Sequence, residues 1–307
     1  MLKIPSFSIF IFLCAILSTN RIVAADPYSN ALKIFSEGNL FAASIEFERT
    51  IFYESDINKI SQCKYYKALC YKGLGETRKA LDVLNEINMT RLPDSLFYMV
   101  RYEQAFCNFL NSDANQAMWN LEDIRTRIPD SLRTINIIPL NILCLNALNK
   151  WKEALRLWNY FIDNSSLKDS DIFAIKIELN QLYSKKNIPK FRSPRKAEIL
   201  SQFIPGSGQI YAGKFLEGSL NFIMNAGLLG FSLYEFYTKF YFTGYLVGLT
   251  SLNKIYHSGM HRANILATET NTIAMNKFNI RSTSLMMKIM DSNPYPKILN
   301  RRSLFIK

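Results

Sequence analysis

The chain has 307 residues, enough for two domains, and its 49% hydrophobic content is ordinary for a globular protein. Its net charge of +12 is unevenly placed: residues 26–184 hold 18 Lys and Arg against 20 Asp and Glu, while residues 185–307 hold 17 against 5. Two histidines, His257 and His261, are too few and too C-terminal to build a Ser-His-Asp or Cys-His arrangement in the first half, so no catalytic residue and no cofactor is expected.

Residues 1–25 read as a signal peptide. Lys3 makes a short positive start, Phe7 to Leu17 is apolar, and Val23, Ala24 and Ala25 offer small residues for cleavage before Asp26. An uncleaved signal anchor is the other reading, and either one places the chain from Asp26 onward outside the cytoplasm.

Residues 26–184 carry an internal repeat. Ala43, Ala80, Ala117 and Ala154 stand 37 residues apart. Ala31, Ala68, Ala105 and Ile142 keep the same step, as do Phe47, Leu84, Leu121 and Trp158. Gly38, Gly75, Ser112 and Asn149 form a turn column. Each unit therefore reads as a helix pair, with a turn residue followed by a helix whose small Ala packs closely and whose large apolar residue fills the core one turn later. The residues from Asp169 to Ser184 add an amphipathic helix, with Ile172, Ile175, Leu179 and Leu182 on one face, suited to capping the array.

Cys70, Cys107 and Cys144 repeat with the same step. Equivalent points on packed helices lie about 8–10 Å apart, beyond the reach of a disulfide, so these thiols read as small buried apolar groups.

This pattern resembles the tetratricopeptide repeat family, although the unit is longer than usual and the third and fourth repeats lack the turn Gly. The resemblance implies a helical-repeat solenoid whose first helices line a concave groove. Carried over by position, a peptide-binding groove would contain Tyr28, Tyr65 and Tyr102, with Leu69, Phe106, Lys72 and Phe109 beside them. Tyrosines suit such a surface because each offers a large contact area and a polar tip. Tyrosines that merely cover the seam between repeats are the alternative.

Residues 185–198 form a basic linker, and residues 199–275 read as a membrane hairpin. Phe215 to Tyr237 and Phe240 to Tyr256 are apolar runs separated only by Thr238 and Lys239. A span needs about 20 mostly apolar residues, so the first run qualifies and the second is borderline. Before them stands Pro205-Gly206-Ser207-Gly208-Gln209-Ile210-Tyr211-Ala212-Gly213, a break in the helix with polar groups at the edge of the apolar segment. Asn221 and Asn225 lie one helical turn apart within the first run. Residues 276–307 read as a basic tail.

The segment with Pro205, Gly206, Gly208, Gln209, Tyr211 and Gly213, followed by Tyr256, Gly259, Ala263, Ala267 and Asn271, resembles an uncharacterised bacterial membrane domain with a Pro-Gly-x-Gly-Gln-x-Tyr-x-Gly signature. That resemblance implies a membrane anchor and no established activity. Together with the signal read at residues 1–25, it leads to an expected place in a bacterial envelope, at the inner membrane with the repeat domain facing the periplasm. The basic flanks argue for the opposite orientation, but long domains translocate largely regardless of charge.

The expected fold is thus all-α, a tetratricopeptide-like solenoid followed by a transmembrane helical hairpin. The expected function is a membrane-anchored scaffold for protein–protein interactions, with protein partners in the groove and the lipid bilayer as a further partner. Nucleic acid is not expected, for want of a binding motif, and neither is a metal site at His257 and His261. The alternative is a membrane module that forms homo-oligomers through its helices at Gly218, Gly227, Gly230, Gly244 and Gly248, assisting insertion or transport under regulation by the repeats.

Overall fold

The computed structural model describes residues 26–128, 131–165 and 167–292, and among these every regular element is helical. The expected signal peptide, and the tail beyond residue 292, lie outside the described residues. The chain divides into two compact units, one ending at Cys144 and the other beginning at Leu145.

The first unit is built from helix pairs: α1 (Pro27–Ser36) with α2 (Leu40–Tyr53), α3 (Ile57–Gly73) with α4 (Thr77–Asn85), and α5 (Asp94–Leu110) with α6 (Ala114–Arg127). The division between units falls inside α7 (Ser131–Ala147), which precedes α8 (Trp151–Asp163). Helices α3, α5 and α7 begin at 57, 94 and 131, and end at 73, 110 and 147, a step of 37 each time. Helices α2, α4, α6 and α8 begin at 40, 77, 114 and 151, with the same step.

The turn column explains that regularity. Gly38, Gly75, Ser112 and Asn149 all have left-handed backbones, with φ of +84°, +81°, +67° and +62°. In each turn the following amide donates back five residues: Asn39 to Ile34, Glu76 to Tyr71, Asp113 to Asn108 and Lys150 to Leu145, at 2.8–3.3 Å. This double-bonded helix ending satisfies carbonyls that would otherwise lack partners. Asn39 and Asp113 then cap the next helices, accepting from the amides of Ala42 and Gln116.

Small and large side chains alternate in the interior. Ala43, Ala80, Ala117 and Ala154 are fully buried, as are Phe47, Leu84, Leu121 and Trp158. At the N-terminal end Ala31, Ala43, Phe47, Cys63 and Cys70 share one cluster. Phe47 stacks on Tyr66 with ring centroids 5.6 Å apart. Each large apolar side chain buried this way contributes about 1.5–3 kcal/mol. Cys63, Cys70, Cys107 and Cys144 are free thiols in this packing.

The second unit contains α8, α9 (Asp169–Leu182), α10 (Pro194–Phe203), α11 (Ser207–Tyr211), α12 (Phe215–Tyr237), the short α13 (Tyr241–Thr243), a π-helical stretch (Gly244–Leu249) and α14 (Thr250–Ser292). Ile175, Leu179 and Leu182 of α9 are buried. Trp158 Nε1 donates to the Tyr183 hydroxyl at 3.1 Å, Tyr183 donates to Asn146 Oδ1 at 2.9 Å, and Asn146 Nδ2 donates to Ser282 Oγ at 2.8 Å. Phe278 meets the edges of Tyr183 and Trp151. The last third of α14 is therefore part of this core: Leu285, Met286 and Ile289 are buried, and Lys288 pairs with Glu178 at 2.9 Å. The domain boundaries expected after 184 and 275 both fall inside the unit. The supposed tail continues a 43-residue helix as far as Ser292.

Among the described residues no helix is long and apolar enough to cross a membrane. The expected transmembrane hairpin is not supported in that form. Helix α12 has 23 residues, but Glu217, Asn221, Asn225 and Glu235 dilute its hydropathy. The second apolar run is divided among α13, the π-helical stretch and the start of α14.

Four outcomes test this packing. Ser112→Gly relieves a left-handed strain of about 1–2 kcal/mol while adding up to about 1 kcal/mol of unfolded-state entropy. Denaturant unfolding should therefore show a gain of roughly 0.5–1 kcal/mol, whereas Gly75→Ala should lose about 1–2 kcal/mol. Burial pushes the thiols of Cys70, Cys107 and Cys144 from 9.0 up to about 12, and that of Cys63 to about 11. The folded state thus holds the protonated thiol, and its stability should fall as pH climbs from about 9 toward 12. Peptide mapping should find these four cysteines alkylated at pH 8 at least about 100-fold more slowly in the native chain than in urea.

Candidate functional site

The residues anticipated for a groove lie on the first helices of the first unit. Tyr65, Tyr102, Phe106 and Lys72 are buried, while Tyr28, Leu69 and Phe109 are half-buried. Tyr65 meets the edge of Tyr66, and Tyr102 stacks on Tyr98. Burial drives the phenols of Tyr65 and Tyr102 well above their ordinary range, so both stay neutral. Tyr28, less enclosed, is pushed up to about 12 chiefly by burial, and its hydroxyl donates to Gln62 Oε1 at 3.3 Å. The 37-residue step places these side chains equivalently, yet long neighbours close over two of the three tyrosines.

Lys72 is held between successive repeats. Its ammonium lies 2.5 Å from Glu103 Oε2 and over the Phe106 ring at 5.3 Å, with both charges buried. Glu103 was not anticipated, because nothing in a single sequence marks which acid on the next repeat faces a buried lysine.

In the second unit the anticipated motif residues come together. Helix α10 starts with Ser193 accepting from the Lys196 amide and with Pro194 in its first turn, and it stops at Ile204 before Pro205. Gly206 turns the chain with φ of +89°. A methyl group on Gly206 would strike the carbonyl of Gly218 on α12, and one on Gly208 would strike the carbonyl of Ala197 on α10. Only hydrogen fits at either place.

Gln209, 1% exposed, closes the knot. Its Nε2 donates to the Gly259 carbonyl on α14 at 2.9 Å, and its Oε1 accepts from Ser201 Oγ at 3.0 Å. Ser201 Oγ also accepts from the Gly208 amide at 3.0 Å. Tyr211 accepts from the Ser193 amide through its hydroxyl and from the Arg192 guanidinium through its carbonyl. Gly213, with φ of +87°, lets Lys214 donate back to Gln209 at 2.9 Å.

The stripe on α14 meets this knot along its length. Tyr256 donates to the Gln202 carbonyl at 2.6 Å. Ala263 and Ala267 are fully buried with Ala197, Ala212 and Leu266. The Asn271 amide exchanges two hydrogen bonds with the Arg192 backbone, at 2.8 and 2.7 Å. Ser201 and Arg192 were missed by the sequence reading. Ser201 stands four residues after Ala197 on one helix face, which in retrospect is its only local mark.

Asn221 and Asn225 lie on the face of α12 turned toward α14. Gly259 has no room for a methyl group against Asn221 Nδ2, which would stand 2.5 Å away. Asn225 is 4% exposed and donates to the Asn221 carbonyl at 2.8 Å and to Asn221 Oδ1 at 3.1 Å. Its own Oδ1 has no partner.

The motif therefore joins α10, α11, α12 and α14 through backbone contact and hydrogen bonds that are neutral apart from that of the Arg192 guanidinium to the Tyr211 carbonyl. Among the described residues no three His, Cys, Asp or Glu side chains are grouped to hold a metal, and His257 and His261 are exposed on α14. No family model matches the chain, and no curated protein or solved structure matches it significantly.

The buried pair between repeats gives a sharp test. Lys72→Met leaves Glu103 charged without its partner and should cost about 3–5 kcal/mol in urea unfolding. Replacing both as Lys72→Met with Glu103→Leu should recover most of that loss, since the stranded charge is then gone.

Proposed function

We propose that this protein is a membrane-attached helical-repeat scaffold, held at a bilayer by the α12 hairpin and offering its repeats to protein partners. One observation carries the reading: the hairpin turns a broad apolar surface outward. Ile223 is 62% exposed, Phe242 76% and Tyr237 87%, and Leu216, Leu220, Leu233, Leu246 and Val247 are exposed with them. Exposed apolar patches on this scale mark membrane or protein contact.

Three features favour lipid as the occupant. The asparagines that dilute the hydropathy of α12, and Ser232 with them, face inward: Asn225 and Ser232 are buried, and Asn221 packs on Gly259. The turn carries Tyr234, Phe236, Tyr237, Phe240, Tyr241, Phe242 and Tyr245, a cluster suited to a bilayer interface. The opposite end holds Lys196 over the Tyr211 ring, Lys214 just before α12, and Arg262 paired with Glu217 at 2.7 Å. A basic end suits anionic headgroups. At 1.5 Å per residue, α12 extends about 34 Å, comparable with a hydrocarbon core of about 30 Å.

The repeats are read as tetratricopeptide-like, with Tyr28, Leu69 and Phe109 as the accessible part of the binding surface and Tyr65, Tyr102, Phe106 and Lys72 as its supports. The reading assigns no catalytic residue. Reading residues 1–25 as an export signal puts the repeats on the periplasmic side of a bacterial inner membrane; that part rests on sequence alone. The oligomerising module remains a second reading, favoured by Gly227 and Gly230, which have open space on α12, whereas Gly218, Gly244 and Gly248 are occupied by contacts within the unit.

Flotation with vesicles containing phosphatidylglycerol tests the attachment. The wild-type chain should float with the vesicles. Ile223→Lys with Leu233→Lys, both at exposed positions, adds about 2.5–3.5 kcal/mol per lysine in a bilayer and should leave the protein in the dense fraction with its helix content unchanged. Equal flotation of this variant would contradict the lipid reading.

A further inference from the structure

Two stretches of the second unit carry cations without acids. Residues 185–197 hold six Lys and Arg and no Asp or Glu, and residues 270–290 hold three and none. The fold lays one along the other. The linker between α9 and α10 is pinned to α14 by the two hydrogen bonds between the Arg192 backbone and Asn271. Nearer α9, the amides of Asn187 and Ile188 donate to the Ser184 carbonyl at 3.0 Å, and Asn187 Nδ2 donates to the Gln181 carbonyl at 2.7 Å. A depression of about 360 Å³ lies between this fixed linker and α14.

Ala274, Lys277, Phe278 and Arg281 reach the depression from one face of α14, at the spacing i, i+3, i+4 and i+7. Phe278 is buried against Tyr183 and Trp151 and gives that side a rigid base. From the linker come Ile188 and Pro189, which are apolar, and Lys186 and Lys190. Four cations therefore surround the depression, and among the described residues no carboxylate lines it.

Other cations of the unit have partners. Lys176 pairs with Asp163 at 2.6 Å, Lys288 with Glu178 at 2.9 Å and Arg262 with Glu217 at 2.7 Å, while Arg192 donates to the Tyr211 carbonyl. Among the described residues Lys186, Lys190, Lys277 and Arg281 pair with no acid, and all four are exposed at the rim. Like charges at i and i+4, as at Lys277 and Arg281, weaken a helix. A concave surface lined by one sign of charge also concentrates ions of the other sign. The arrangement is unfavourable in the free chain and is relieved by an anion.

We propose that this depression binds a soluble phosphorylated small molecule, its phosphoryl oxygens held by Lys186, Lys190, Lys277 and Arg281 and its carbon frame against Ile188 and Pro189. Four cations call for more than one negative charge, and a phosphate monoester carries about −1.5 to −2 at neutral pH. The planar fork of Arg281 meets two phosphate oxygens at once, and the lysines add point charges. The volume lies at the small end of the usual range for such sites, about 300–1,000 Å³. A lipid headgroup would offer the same chemistry, but the helix geometry disfavours it. Arg262 pairs with Glu217 in the first turn of α12, where that helix would leave the bilayer. Lys277 and Arg281 come 15 and 19 residues later on the same helix, about 22 and 28 Å farther along. This choice of source rests on the attachment proposed above; the anion chemistry does not.

The test is calorimetric titration of the full chain in non-ionic detergent micelles with inorganic pyrophosphate, at about 0.15 M salt to screen exposed charges beyond about 8 Å. The wild type should bind it. Lys277→Gln with Arg281→Gln, at exposed positions and with a good helix former, should weaken binding at least about 100-fold with circular dichroism unchanged. Lys33→Gln with Arg78→Gln removes the same charge from exposed positions outside the depression and should leave binding within about twofold. No binding by the wild type would overturn the proposal. So would full binding by the folded α14 variant, or equal weakening in both double variants. Should the α14 variant lose its fold, Lys186→Gln with Lys190→Gln on the linker must show the same loss. Flotation with phosphatidylglycerol vesicles separates the two sources. The α14 variant should float as the wild type does; loss of flotation in it alone would assign the depression to headgroups and overturn the soluble ligand. A wild type that does not float would strike the attachment instead, and the calorimetry would still judge the depression.

Discussion

The second unit depends on contacts where no side chain can stand. Gly206 meets the carbonyl of Gly218, Gly208 meets the carbonyl of Ala197, and Gly259 meets Asn221. With helix backbones this close, Gln209 can reach from α11 into the Gly259 carbonyl and satisfy its own amide in the same step. Buried polar groups of this kind are costly alone and stabilising only as a satisfied set. The set is neutral throughout, so it does not depend on pH or salt as an ion-pair network would.

That closure has a consequence for the opposite face of α12. A helix whose central polar residues turn toward its neighbours leaves its apolar ones outside. Asn221, Asn225 and Ser232 point inward, while Leu220, Ile223 and Leu233 point outward. In water such a surface would drive association; against acyl chains it is at rest. The repeats solve a different problem. Each of their turns needs one left-handed residue, and the chain supplies Gly twice, then Ser112 and Asn149. Asn tolerates that backbone better than most residues, and Ser112 tolerates it at some cost.

The repeat was legible because it is a matter of spacing. Ala43, Ala80, Ala117 and Ala154 reveal the step without any knowledge of what packs on them, and the turn column could be located even where Gly was lost. The knot was legible in part, since Pro205, Gly206, Gly208 and Gln209 break a helix in an unusual way. What the sequence could not reveal was which face closes. Tyr28, Tyr65 and Tyr102 occupy equivalent places, yet only the last two are buried, Tyr65 against Tyr66 and Tyr102 against Tyr98. Summed hydropathy likewise averages over a helix and hides that the polar residues of α12 share one side. The continuation of α14 past residue 275 was hidden for a similar reason. Lys277, Arg281 and Lys288 mask Phe278, Leu285, Met286 and Ile289, which only the fold shows to be buried.

The central claim is that the outer face of α12 and its turn contacts acyl chains. Spin labels placed by Ile223→Cys and Phe242→Cys, with Phe41→Cys on the exposed part of α2 as a reference, measure this directly in vesicles. The account predicts that oxygen, which partitions into lipid, relaxes the labels at 223 and 242 more than a water-soluble nickel chelate does, and that the order reverses at 41. Labels at 223 and 242 that respond to the chelate as the one at 41 does would contradict it.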